Sequence, residues 1–179
     1  MSIVKRGHKI SDINQNSLDL AVKVGERLAQ YELMLVTAES CTGGWLGQAV
    51  TAGAGSSVWY ERGFITYSNV SKCEMLGVQQ ATLDQYGAVS AQTAREMVMG
   101  ALNRSHAQIG VSITGIAGPD GGTAMKPVGM VCFAWALKDS LVRQEIQYFQ
   151  GNRETVRRLS VATALQGILH LLNDVTAVA

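Results

Sequence analysis

The sequence predicts a layered α/β domain in which helices cover both faces of a mixed sheet. Three observations carry that reading. Short apolar runs of strand length alternate with stretches of helical character along most of the 179 residues, the pattern of a sheet sandwiched by helices. The last two strand-like runs are separated only by a turn, which makes them antiparallel neighbours. Hydrophobic residues make up 47% of the chain against 16% charged, enough apolar material for a sizeable core.

Residues 1–12 read as a loose polar arm, and residues 13–179 as a single domain. A first helix is expected from about Asn14 to Gln30, with Leu18, Val22 and Val24 turned to the core. Leu33 to Ala38 is a short apolar run, the mark of a strand buried on both faces. Gly43-Gly44 then precedes a helix from Trp45 to Thr51, and Gly53 to Ser57 forms a turn. Gly63 to Ser68 is the second strand, followed by a short helix from Asn69 or Val70 to Leu76. Ser90 is a good N-cap for a helix from Ala91 to Asn103, with Val89 placed as a staple. Ile109 to Thr114 is the third strand. The segment Gly115 to Gly129 holds five glycines and both prolines of the chain and reads as irregular. Strands over Val128 to Leu137 and Val142 to Phe149 flank the turn Lys138-Asp139-Ser140, and a last helix runs from about Arg153 to Leu172. No repeat or low-complexity tract interrupts this order.

Charge and cysteine usage exclude several classes of function. Fifteen basic and 14 acidic residues leave a formal net charge of +1, and only Arg153, Arg157 and Arg158 cluster. Neither nucleic acid nor an anionic membrane surface is the expected partner. Cys41, Cys73 and Cys132 are odd in number and lack a Cys-x-x-Cys pair, so no disulfide framework or zinc site is expected and a reducing compartment fits. Met1 to Gln15 carries Lys5, Arg6, His8 and Lys9 with no apolar run behind them. No stretch approaches the ~18 apolar residues of a membrane span. The expected location is the cytoplasm. Met97 and Met99 read first as core, and are compatible with a homodimer contact.

Ligands of open α/β sheets gather beyond the carboxyl ends of the strands. Three polar segments lie there: Glu39 to Gly44, Tyr67 to Lys72, and Thr114 to Gly122. The first sets the Ser40 hydroxyl between a buried strand and glycines that open a helix, a turn that exposes an oxygen beside main-chain N–H donors. Ser40 or Thr42 serves equally well as a plain helix cap at this point. Cys41 is the weaker nucleophile candidate, because the neighbour of an exposed turn residue points back to the core. A serine needs a base. His8, His106 and His170 are all badly placed, so a Ser-His-Asp triad is disfavoured. Of six lysines, Lys72 alone leaves a strand among hydroxyls, although a solvated helix lysine is the default for such a residue. Tyr67 is a strand aromatic, or a proton relay if it faces the site. Thr114 to Gly122 resembles an anion cradle but lacks the Gly-Lys-[Ser/Thr] ending of a P-loop. Arg153 suits a phosphate or carboxylate, or simply an exposed first turn. No His/Asp/Glu cluster has metal spacing, so neither metal nor cofactor is expected.

Together, Thr37 to Gly44, Gly63 to Lys72, Gly87 to Ser90, Ser112 to Gly122, Lys126 to Gly129 and Gly151 to Arg153 resemble the C-terminal domain of the competence/damage-inducible protein CinA, over about residues 16 to 172. The resemblance implies a three-layer α/β/α sandwich and, for stand-alone members, hydrolysis of the carboxamide of nicotinamide mononucleotide to nicotinate mononucleotide and ammonia in pyridine nucleotide salvage. It also implies a metal-independent serine/lysine mechanism. Ser40 would attack, and Lys72, through Tyr67 or directly, would take its proton. Amides near Thr42-Gly43-Gly44 or Thr114-Gly115 would hold the oxyanion. Arg153 would hold the substrate phosphate or the tetrahedral intermediate. Met130, Ala124-Met125 and Asn152 depart from the family pattern. A catalytically silent nucleotide-binding paralogue and a serine amidase for another amide are the alternative functions.

Overall fold

The computed structural model describes the backbone of residues 10–140 and 142–176, and the side chains from 17 to 140 and from 142 to 174. The expected arm at 1–12 therefore lies mostly outside the described residues. Its last three positions belong to helix α1, Ile10–Gln30. Then follow β1 (Leu35–Glu39), α2 (Trp45–Thr51), a 3-10 turn at Ser56–Val58, β2 (Tyr60–Ile65), α3 (Asn69–Leu76), α4 (Gln80–Tyr86) and α5 (Ala91–Asn103). The chain continues through β3 (Ile109–Gly115), β4 (Met130–Leu137), β5 (Val142–Tyr148) and α6 (Arg153–Thr176).

The five strands form one sheet in the order β2-β1-β3-β4-β5. β1 runs parallel to β2 and β3, whereas β4 is antiparallel to both β3 and β5. The sheet is mixed, as predicted. Alternate side chains of each central strand feed two cores. On one face Leu35, Ile109, Val111, Ile113, Phe133 and Trp135 pack with apolar residues of α1, α2 and α6. On the other, Val36, Ala38, Cys132, Ala134 and Ala136 pack with α3, α4 and α5. This is the three-layer α/β/α sandwich.

Some expectations shift. In α1 the buried stripe is Leu20, Ala21, Val24 and Leu28. Leu18 and Val22 are exposed instead and line an apolar groove with Trp59, because the core face of a helix follows its 3.6-residue period from Val24. β2 lies three residues earlier than predicted: pairing with β1 ends at Ile65, and Thr66 to Ser68 turns away into α3. The helix α4 escaped sequence reading. With seven residues and Leu83 its one buried side chain, it has too short an apolar pattern to announce itself. Met97 is fully buried and Met99 packs partly buried beside it, so both belong to the core around α5.

Helices α3 and α5 pack unusually close. A Cβ on Gly100 would lie 1.8 Å from the Leu76 carbonyl oxygen. The end of α5 also closes the end of α3, since Arg104 Nη1 donates to the Leu76 carbonyl at 2.9 Å. At the other end of α3, Ser68 and Ser71 form a reciprocal capping box. α3 is thus fixed at both ends and along its length, and it carries Lys72.

Candidate active site

β1 ends at Glu39, so Ser40 is the first residue beyond the sheet at the carboxyl edge shared by β1, β2 and β3. Its amide donates to the Ile113 carbonyl at 2.9 Å, which ties it to the end of β3. The chain then turns through Gly43 and Gly44, with φ of +60° and +95°. These left-handed angles admit glycine readily, and they reverse the chain into α2 within a few residues of the strand.

Lys72 reaches the same place from α3. Its Nζ lies 3.0 Å from Ser40 Oγ and donates to the Thr66 carbonyl at 2.8 Å. The side chain is 1% exposed and Ser40 is 8% exposed. Burial pulls the Lys72 ammonium below the ordinary lysine range, because the charged form loses its water. The connection closes on itself through the main chain. The Thr66 amide donates to the Glu39 carbonyl at 2.8 Å, and Thr66 in turn accepts from Lys72.

A cavity of about 260 Å³ opens over this pair. Its walls include Ser40, Cys41, Tyr67, Lys72, Thr114, Gly115, Asp120 and Arg153, with the chain from Ile116 to Gly118. Arg153 stands at the start of α6. Its Nη1 donates to the Gly118 carbonyl at 2.9 Å and its Nη2 to the Tyr67 hydroxyl at 2.8 Å. Asn152 Oδ1 accepts from the Thr155 amide at 2.9 Å, so this asparagine caps the helix.

The geometry bears on three of the expected roles. Tyr67 accepts from Arg153, while Lys72 meets Ser40 directly. The amides of Gly43 and Gly44 are not free for an oxyanion: Gly43 donates to the Ser40 carbonyl at 3.0 Å, and Gly44 donates to the Glu39 carboxylate. Thr42, Gly43 and Gly44 also lie outside the cavity wall, and the Thr42 carbonyl accepts from Arg157 Nη2 at 2.7 Å. Thr114 does face the cavity, but its hydroxyl donates to the Ala88 carbonyl at 2.8 Å and so holds the turn before α5. Gly115 is required by packing, since a Cβ there would meet the Met130 carbonyl at 2.8 Å.

Cys41 is buried beside Ser40, and burial pushes its thiol up to about 12, with the Glu39 carboxylate adding to the rise. It stays protonated at neutral pH and is a poor nucleophile. His106 and His170 contribute nothing to the cavity wall, and His8 lies outside the described residues. Among the described residues no three His, Cys, Asp or Glu side chains stand close enough to hold a metal.

Sequence reading missed Glu39. Its side chain is 1% exposed, and its two oxygens accept from the amides of Gly44 and Leu46, both at 3.0 Å, and of Gly47 at 2.8 Å. The available signal was a carboxylate at the end of an apolar strand, followed by glycines and a helix.

The α/β/α layers, with a polar cavity at the carboxyl edge of the parallel strands, define an α/β/α sandwich, and the relatives below make the chain a hydrolytic enzyme. A model of the CinA C-terminal domain matches residues 17–172, and the chain belongs to that family. It is 50% identical over 151 residues to the nicotinamide-nucleotide amidohydrolase PncC of Enterobacter agglomerans, covering 84% of this chain and 92% of that protein. It is 47% identical over 152 residues to the PncC of Pseudomonas putida, covering 85% and 94%. Among solved structures, the competence/damage inducible protein CihA of Agrobacterium tumefaciens superimposes with a TM-score of 0.85 at 43% identity, covering 97% of this chain and 99% of that one. The CinA superfamily protein ECK1530/EC0983 of Escherichia coli gives 0.84 at 37% identity, covering 96% and 99%.

Proposed function

We propose that the chain hydrolyses the carboxamide of nicotinamide mononucleotide, releasing ammonia and nicotinate mononucleotide, with Ser40 as nucleophile and Lys72 as its base. The observation that carries the mechanism is the 3.0 Å contact between a buried amine and a hydroxyl at the floor of the cavity. The substrate follows from the relatives named for that reaction, which match over most of both chains. A role in pyridine nucleotide salvage follows from the same reaction.

In this reading the uncharged Lys72 amine accepts the Ser40 proton as Oγ bonds to the carboxamide carbon, and the carbonyl oxygen takes the negative charge. The Cys41 amide and those of Ala117 and Gly118 are the available donors to that oxygen. All three residues lie at the cavity wall, and the amides of Ala117 and Gly118 have no backbone acceptor among the described residues. The Lys72 ammonium returns its proton to the departing nitrogen, the C–N bond breaks, and ammonia leaves an ester on Ser40. Water, deprotonated by Lys72, attacks that ester. Its carbon–oxygen bond to Oγ breaks, Ser40 recovers its proton, and the nicotinate carboxylate is released. Burial serves this cycle because a lysine with a lowered pKa is both a usable base and a competent acid. Arg153, in the cavity wall at the start of α6, suits the substrate phosphate, with Tyr67 accepting from the guanidinium.

The test is ammonia release from nicotinamide mononucleotide by purified protein with chelator present, run on wild type and Ser40→Ala together. We expect full activity in chelator and a loss of roughly a thousandfold or more in kcat for Ser40→Ala with its fold intact. Near-normal activity of Ser40→Ala would refute the nucleophile assignment. Nicotinamide and its riboside, assayed beside the mononucleotide, measure how far the enzyme requires the phosphate.

A further inference from the structure

We infer that Glu39 is the positioning residue of the nucleophile: its carboxylate takes the place of an anion at the start of α2 and so fixes the turn that presents Ser40. The inference deepens the reading of Ser40 as nucleophile and rests on it.

The opening amides of a helix have no intrahelical partner and attract an anion. Here the residue immediately before Ser40 supplies that anion from within, accepting from Gly44, Leu46 and Gly47. The contact closes the segment 39–47 into a loop with Ser40 near its base. Two left-handed glycines inside the loop would otherwise leave it many conformations. The carboxylate is buried at 1% exposure, and among the described residues no basic side chain lies within ion-pair distance of it. Three charge-assisted amide bonds therefore compensate its burial.

This arrangement also decides where a substrate anion goes. The amides of Gly44, Leu46 and Gly47 are occupied and absent from the cavity wall, so the start of α2 is closed to a phosphate. That leaves Arg153 as the cavity's cation for it. Glu39 thus acts on the chemical step through Ser40 and not on substrate binding.

Glu39→Gln keeps the shape but turns one acceptor oxygen into an amide nitrogen that faces an N–H. We expect kcat on nicotinamide mononucleotide to fall by about tenfold to a hundredfold, the scale of an ångström-sized misplacement, with KM unchanged. Trp135→Phe serves as the stability control. It removes a buried bond to the Ala164 carbonyl in the core between β4 and α6, outside the cavity wall. It should lower Tm while leaving kcat per folded molecule at the wild-type value. A Glu39→Gln protein that melts earlier but keeps wild-type kcat has lost only stability, and overturns the inference. A raised KM at unchanged kcat also overturns it, by placing Glu39 in substrate binding.

If Glu39→Gln does not fold, Glu39→Asp probes the same contact by drawing the carboxylate back one methylene from the three amides. A lower kcat at constant KM supports the inference, and wild-type kcat overturns it. Ser40→Ala, run in parallel, separates the two levels. If it is inactive while Glu39→Gln is fully active, only the positioning role falls. If it is active, the nucleophile reading falls and takes this inference with it.

Discussion

At Arg153 one guanidinium joins three elements: it belongs to α6, donates to the Gly118 carbonyl between β3 and β4, and donates to the Tyr67 hydroxyl beyond β2. Its remaining N–H donors are available to an anion in the cavity. Arg153→Ala should therefore raise KM for nicotinamide mononucleotide by roughly ten- to a hundredfold, the worth of hydrogen bonds to a charged group, and leave the riboside's KM unchanged. Steady-state kinetics on the two substrates check this. A loss confined to kcat on both would assign Arg153 to the tetrahedral intermediate instead. Residue types and their order made Ser40, Lys72, Tyr67 and Arg153 legible as candidates. Hydrogen-bond commitments were not legible. Whether the Gly44 amide is free depends on where the Glu39 carboxylate goes, and whether Tyr67 touches Lys72 or Arg153 depends on how α6 docks. Those are tertiary facts with no local signature.

Among the elements, α3 shows how packing brings a buried lysine to a serine. It has eight residues, too few to be stable alone, so its position depends on its caps and on α5. Gly100→Ala would force a Cβ into the Leu76 carbonyl, where only 1.8 Å is available. Backbone cannot yield as a flexible side chain does, so the two helices must separate. The expected cost is about 1–3 kcal/mol of stability, read as a lowered midpoint in chemical denaturation. Activity per folded molecule should fall too, because α3 carries Lys72. The longer elements were readable for the complementary reason. α5 and α6 bury a continuous stripe and begin at recognisable caps, and β1, β3 and β4 are nearly continuous apolar runs. β2 was misplaced because its burial is weak and uneven, as befits an edge strand, while α4 buries too little to leave a periodic trace.

For the molecule as a whole, the buried amine at residue 72 makes stability depend on pH. Its pKa is lowered in the fold, so between that value and the ordinary lysine value near about 10.4 the unfolded chain binds more protons than the folded one. Stability gained from this group therefore rises with pH across that window. The cost of charging the buried amine is fully present below the folded pKa. Lys72→Met removes the titrating group along with the activity. The unfolding free energy of Lys72→Met relative to wild type should thus be most favourable near neutral pH and should decline as the solution becomes alkaline. Denaturation curves at a series of pH values measure the trend, and a pH-independent difference would contradict it.

β2 is an outer strand whose one neighbour in the sheet is β1, and the peptide leaving it carries the partner on which Ser40 depends. Parting β2 from β1 at its carboxyl end would break the bond from the Thr66 amide to the Glu39 carbonyl, the link that holds the acceptor of Lys72 beside Ser40.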